Sequence, residues 1–523
     1  MSRPHILYIL KELFVVLVIA LAVFKLAKRV ALLFSTAEDY SRRRNVWIAL
    51  TTVAFLSPNF WLFVAVAVPL LFFAGRKDSN PAALYLLLLH VIPPFDVRVP
   101  MVGISFLFDA NNYLLLSFCV MAPAALRRFR SKDPARDRGL EAMDLCLFAY
   151  GALSSFLFLH PETASGVIMS ATFTDCLRRM FLFFFMTVIP YFLISRASSN
   201  RREILDTMAT YCLSCGILAA IAIFETARHW LLYADMAERW GVPYNFSQYL
   251  ERGTSLRAMA SSGHPLGLGY LLVIGLGFWL YLQSNVKSKP TRFAVTALFW
   301  LGLLAAYSRG PWIGAACVYF FFAALRPRAF SAIFKAAAVS GILAALVSVS
   351  PLRSKIVDVL PFLGGTVDSE NVVYRHRLLD RSWEIIQESP LLGDQNALLR
   401  MQDLRQGQGI IDVVNGYLGI LLSNGFVGLS LLLCFILLAI FKAWSFSKGN
   451  TLADPDLSTL GASLVSCIMV TLVLLTDGSL GTGCERMFYV LAGLAAAYAH
   501  LPRLQLQQSI RYSHVFQAAK KSQ

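Results

Sequence analysis

The chain has 523 residues, 57% of them hydrophobic and only 15% charged, with a mean hydropathy of +0.60. Soluble domains carry roughly 25% charged residues, which excludes a water-soluble globular enzyme. The 47 Lys and Arg against 31 Asp and Glu leave a formal charge of +16. Apolar stretches separate the basic runs, so a soluble nucleic-acid-binding protein is excluded as well, and a polytopic membrane protein with basic cytoplasmic loops explains both figures.

A helix crossing the bilayer core needs about 20 mainly apolar residues. In chain order, the candidate spans are 7–24, 46–57, 60–74, 81–94, 110–126, 142–159, 180–195, 205–224, 264–282, 293–307, 310–325, 331–350, 414–441, 459–476 and 487–502. Several are short, and Pro58-Asn59 reads as a hairpin tip or a kink, so the expected architecture is an all-α bundle of about 12–15 transmembrane helices. Lys11 and Glu12 interrupt the first segment, and no small-residue cleavage site follows it, which argues against a signal peptide. The nine cysteines fall mostly inside apolar stretches as core filler, the Cys212-x-x-Cys215 pair included.

Arg42–Arg44, Arg127, Arg128 and Arg130, Arg196, Arg201 and Arg202, Lys287, Lys289 and Arg292, and Arg326 and Arg328 mark loops on one side, assigned to the cytoplasm. The chain then divides into N-terminal helices (1–225), an outward loop (226–263), central helices (264–350), a large outward loop (351–413), C-terminal helices (414–502) and a cytoplasmic tail (503–523). There is no G-x-x-x-x-G-K-[ST] sequence, which argues against an ATP-driven pump.

The first outward loop ends in Leu256-Arg257-Ala258-Met259-Ala260-Ser261-Ser262-Gly263-His264-Pro265. Pro265 suits a first helical turn, and Ser261, Ser262 and Gly263 suit an N-cap with exposed N–H groups. Such a helix start attracts anions, and Arg257 adds a fixed charge; the plainer reading is a capped span with a snorkelling arginine. In the second loop, Tyr374, Leu378, Leu379, Ser382, Ile385 and Ile386 share one face at 3.6-residue spacing, an amphipathic interfacial helix. Arg375 falls by phase near the middle of that face, where a desolvated charge needs an internal carboxylate or an anionic substrate. Further on, Asn415-Gly416 and Asn424-Gly425 punctuate one apolar run, which predicts a short half-helix followed by a full span, with Asp412 and Asn415 facing a polar cavity.

Taken in order, these residues resemble the O-antigen ligase and O-antigen polymerase superfamily of bacterial glycan-assembly membrane proteins. The resemblance rests on Arg257 with Gly263-His264-Pro265, the Ser308-Arg309-Gly310 turn, Arg375 with Pro390-Leu391-Leu392-Gly393, then Val414-Asn415-Gly416-Tyr417-Leu418 and Gly425-Phe426-Val427-Gly428, roughly Phe224 to Leu433. The ligases' histidine is Val414 here, a departure that favours a polymerase of exopolysaccharide or O-antigen repeat units over a ligase.

The resemblance implies an inner-membrane, multi-pass glycosyltransferase acting on an undecaprenyl-diphosphate-linked glycan at its periplasmic face, with membrane lipid and other polysaccharide-assembly proteins as partners. It implies no cofactor, and two guanidinium groups in place of a metal. Arg257 and Arg375 are the candidates for stabilising the diphosphate leaving group. Asp412 is the first candidate for a general base, with Glu225, His264 and His376 behind it, each carboxylate having the alternative of pairing with an arginine. Arg309, His264, Asn415, Glu225 and Tyr417 complete the substrate-binding candidates. A transporter or lipid-linked-glycan flippase is the competing class, but no internal repeat is evident between the halves.

Overall fold

The computed structural model describes residues 6–103, 106–130, 139–159, 162–164, 167–169, 172–197, 200–241, 251–252, 255–326, 369–405, 411–478 and 485–501. The architecture is helical: α1 (Ile6–Ala31), α2 (Ala37–Leu56), α3 (Phe60–Lys77), α4 (Pro81–Leu88), α5 (Asn112–Leu116) running through a π turn into α6 (Ala122–Arg130), and α7 (Ala142–Phe156). Next come α8 (Phe173–Phe183), joined by a second π turn to α9 (Ile189–Ala197), then α10 (Arg201–Arg228), the short α11 (Ala234–Arg239), α12 (Pro265–Leu282), α13 (Lys289–Ala305) and α14 (Arg309–Ala324). α15 (Ser369–Glu388), α16 (Gly416–Gly449), α17 (Pro455–Leu474) and α18 (Glu485–Tyr498) complete the described chain. The expected span at 331–350 lies outside the described residues.

Among the described residues, eight helical segments are long and apolar enough to cross a membrane. Of the other expected spans, several are shorter or more charged helices. α4 stops at Leu88, α13, α14 and α18 are short, and α2 carries Glu38, Asp39 and three arginines in its first turns. α1 shows why these helices suit lipid. Ile9, Leu13, Val16, Ala20 and Phe24 recur at helical spacing and are buried, while Leu7, Leu10, Phe14, Val18 and Leu21 are exposed on the other face and equally apolar. At the centre stands α12, whose apolar segment is 94% buried, against 28% for α1.

The basic loops gather at one end of the bundle. Arg43, only 2% exposed, bridges Asp78 and Asp206, each at 2.8 Å. Arg201, opening α10, pairs with Asp456 and donates to Tyr281 Oη at 2.9 Å. Arg196 pairs with Asp144 at 2.5 Å, and Lys442 and His500 both meet Glu141. The segments that carry Arg257, Arg309 and Arg375 lie at the other end, since α10, α13 and α17 finish there and α12, α14 and α16 begin there.

Candidate active site

The first arginine loop is shaped by a carboxylate. A two-residue hairpin pairs Glu251 with Leu256 and Arg252 with Ser255, and the chain then turns inward through Arg257, which is 8% exposed. Glu225, in the last turn of α10, is 0% exposed and accepts three backbone N–H groups: Leu232 at 3.0 Å, Met259 at 3.1 Å and Ala260 at 2.8 Å. Ala260 sits at φ 47°, a left-handed conformation that a non-glycine residue holds only with external support. Glu225 supplies that support from a fully buried position.

The helix start after this loop differs from the expected one. His264, not a serine or Gly263, caps α12, its Nδ1 accepting from Leu266 N–H at 3.1 Å, with Pro265 at the first position. Ser262 is used in the turn itself, its Oγ donating to Met259 O at 2.7 Å, and Ser261 ties the turn to the chain after α4, its Oγ donating to His90 O. Gly263 has φ 78°, and a Cβ there would lie 2.7 Å from Pro94. Burial and the Arg257 charge push the His264 pKa down to about 4, so near neutral pH the ring is uncharged and can accept through Nδ1.

The loop and the end of α10 are tied to the end of α13, which leads into the Ser308-Arg309-Gly310 turn. Ala258 N–H donates to Ala305 O at 3.0 Å at the end of α13, and Thr226 Oγ1 donates to the same carbonyl at 3.1 Å. Tyr307 then reverses the chain at φ 47°, and Arg309, half-buried, opens α14.

Arg375 does not lie on the buried face of α15. Leu378, Ser382, Ile385 and Ile386 are buried, whereas Leu379 is 52% exposed and the Arg375 side chain 54%. The face is covered only from Leu378 onward, and Arg375, which shares its phase, lies one turn before the covered length. Nor does the apolar face lie on the membrane surface: Ala397, Met401, Leu404, Leu418 and Leu422 cover it, with Ile411, Val413 and Val414 packed alongside. Arg375 Nη2 donates to Asp477 Oδ1 at 2.8 Å, a partner 102 residues away that sequence reading missed. A lone aspartate just past a span carries no signal of its own in the sequence. The second Asp477 oxygen lies against Gly310, where any Cβ would overlap it.

Tyr374 clamps the other candidate. Its hydroxyl donates to Asp412 O at 3.0 Å and accepts from Asp412 N–H at 3.1 Å, which holds this stretch of backbone against α15. Burial raises the Asp412 pKa above the usual aspartate range, with the Arg375 charge lowering it in part. Asn415 is the N-cap of α16, accepting from Tyr417 N–H at 2.9 Å and Leu418 N–H at 3.2 Å. Tyr417 Oη donates to Leu472 O at 2.7 Å, Tyr270 Oη to Leu474 O at 2.7 Å, and Gly416 N–H to Leu475 O at 2.8 Å, which together fix the end of α17 just before Asp477. His376 is exposed on α15.

The broken helix is present, and protein instead of a polar cavity fills the break. Gly425 has φ 61° and ψ −167° inside α16. The Pro390–Gly393 turn inserts there: Phe426 N–H donates to Pro390 O at 2.8 Å, Val427 N–H to Leu391 O at 3.1 Å, and Asp394 N–H to Leu422 O at 2.6 Å. The backbone groups freed by the kink are therefore satisfied by the loop that carries Arg375.

Cys212 and Cys215 are free thiols donating to Gly275 O at 3.3 Å and Leu271 O at 3.4 Å in the α10–α12 contact. Among the described residues, no three His, Cys, Asp or Glu side chains gather as metal ligands.

Residues 294–433 match the family model described as O-antigen ligase. The matched stretch contains Arg309, Arg375, Asp412, Asn415 and Tyr417, while Glu225, Arg257, His264 and Asp477 lie outside it. No curated protein sequence matches the chain. The chain is thus a polytopic helical membrane protein that is similar, over residues 294–433, to the O-antigen ligase family model.

Proposed function

We propose that the protein is an inverting, metal-independent glycosyltransferase that polymerises exopolysaccharide or O-antigen repeat units at the periplasmic face of the inner membrane. The donor is a glycan on undecaprenyl diphosphate. An acceptor hydroxyl of the growing lipid-linked glycan attacks the anomeric carbon, the bond to the diphosphate oxygen breaks, and undecaprenyl diphosphate leaves. Charge develops on that leaving group, and guanidinium forks matched to phosphate oxygens stabilise it.

One observation carries the reading: a continuous chain of contacts joins the three arginine-bearing segments at the end of the bundle opposite the basic loops. It runs from the Arg257 loop through Ala258 to Ala305, through the turn at Gly310 to Asp477, and from Asp477 to Arg375. Asp412, with its raised proton affinity, accepts the hydroxyl proton. Val414 stands where the ligases carry a histidine, which supports polymer growth over ligation to a lipid A core.

The test uses purified variants in liposomes supplied with undecaprenyl-linked repeat units. Replacing Arg257 or Arg375 by Ala abolishes chain growth while the protein still inserts. Arg375→Lys is also severely impaired, because an ammonium lacks the planar two-pronged donor edge. Near-normal chain growth by Arg375→Ala moves the site elsewhere.

A further inference from the structure

We infer that Asp477 is a positioning residue for the donor diphosphate: it holds the Arg375 guanidinium beside the Ser308–Gly310 turn and leaves the remaining guanidinium donors free to engage phosphate. The inference rests on the diphosphate reading of Arg375 given above.

Arg375 lies one turn before the covered length of α15 with its side chain 54% exposed, so the helix by itself leaves the guanidinium free to swing. Its bond to Asp477 uses Nη2 and one carboxylate oxygen at 2.8 Å. A guanidinium has five N–H donors in a rigid fork, so a single-point anchor fixes its plane and keeps an edge open.

The anchor is itself rigid. Asp477 N–H donates to Leu474 O at 3.1 Å, and the adjoining carbonyls of Leu474 and Leu475 are held by Tyr270 Oη and Gly416 N–H. The second carboxylate oxygen rests on Gly310, in the first turn of α14, a place that opens only because residue 310 has no Cβ. Gly478 has the same constraint on its far side, since a Cβ there would overlap the Tyr270 hydroxyl. Gly310 thus makes room for the carboxylate and Gly478 for the Tyr270 hydroxyl that holds the end of α17, so the arginine of the large loop is tied to the core of the bundle.

The experiment measures binding of undecaprenyl diphosphate to the full-length protein in lipid nanodiscs, with thermal unfolding as the fold control. Arg375→Ala, Asp477→Ala and Gly310→Ala are each expected to weaken binding about tenfold or more, the cost of losing or freeing one fixed guanidinium. Asp477→Glu restores part of the loss. Asp477→Ala adds nothing in the Arg375→Ala background, and Gly310→Ala adds nothing once Asp477 is Ala, because the Cβ then has space. Gly310→Ala touches neither charge, so it tests the geometry if Asp477→Ala fails to fold. Unchanged or tighter binding by Asp477→Ala, with Arg375→Ala weakened, makes the carboxylate a bystander or a competitor of phosphate and overturns the inference alone. Unchanged binding by Arg375→Ala overturns the diphosphate reading and this inference with it.

Discussion

Replacing Glu225 tests whether the first arginine loop is built by a buried carboxylate. Its two oxygens accept three backbone N–H groups, Leu232 on Oε1 and Met259 and Ala260 on Oε2, at 2.8–3.1 Å with no solvent exposure. In Glu225→Ala all three donors lose their partner, each at a cost of roughly 1–3 kcal/mol. Ala260 also loses the support for its positive φ, worth on the order of 1–2 kcal/mol. Water entry and loop relaxation recover part of this, so the net destabilisation is about 3–5 kcal/mol. Glu225→Gln has one acceptor oxygen. Turned toward Met259 and Ala260 it keeps two bonds and points its amide at the Leu232 N–H, donor against donor, for a loss of about 1–3 kcal/mol. The expected order of melting temperatures in detergent is wild type, then Gln, then Ala, with chain-growth activity falling in the same order as Arg257 loses its placement. A Glu225→Gln protein that melts like wild type yet makes no polymer would refute this reasoning and return Glu225 to direct contact with substrate.

Four further outcomes follow from the geometry. Gly425→Ala places a side chain at φ 61° and ψ −167° against Leu391 O, so it expels the Pro390–Gly393 turn and lowers stability by about 3 kcal/mol, whereas Gly449→Ala, with open space around it, leaves the melting temperature unchanged. Arg43→Ala strands Asp78 and Asp206 in the interior at a cost of about 3–5 kcal/mol, read as loss of monodisperse protein on heating; an unaltered profile makes the triad dispensable. Glu141, beside His500 and Lys442, has its pKa depressed from 4.5 to about 2, so its contribution to stability is full above pH 4.5 and disappears as pH falls through 2; Glu141→Gln should flatten that part of the stability profile. Cysteines placed at 375 and 202 should differ toward an impermeant thiol reagent in intact spheroplasts, with 375 labelled and 202 protected; the reverse pattern inverts the proposed orientation.

Sequence by itself determined the class of molecule and the location of its helices. Apolar runs of span length admit only helices in lipid, because no water is present to satisfy backbone groups, and the basic loops mark one end of the bundle. Local chemistry also set the break at Gly425 and the cap at Asn415, since left-handed backbone and side-chain capping are properties of a few neighbouring residues. Tertiary structure alone decided what the charged groups do. Glu225 and the loop it shapes lie 34 and 35 residues apart, and Arg375 and Asp477 lie 102 apart, so no periodicity connects them. The phase of α15 placed Arg375 near the centre of an apolar face, but the length of that face that is covered, from Leu378 onward, was decided by Met401, Leu404 and Leu418, which arrive later in the chain. The break in α16 was legible as a glycine, while its partner was not: the turn at Pro390–Gly393 fills it because only a folded loop can bring two free carbonyls to two freed N–H groups.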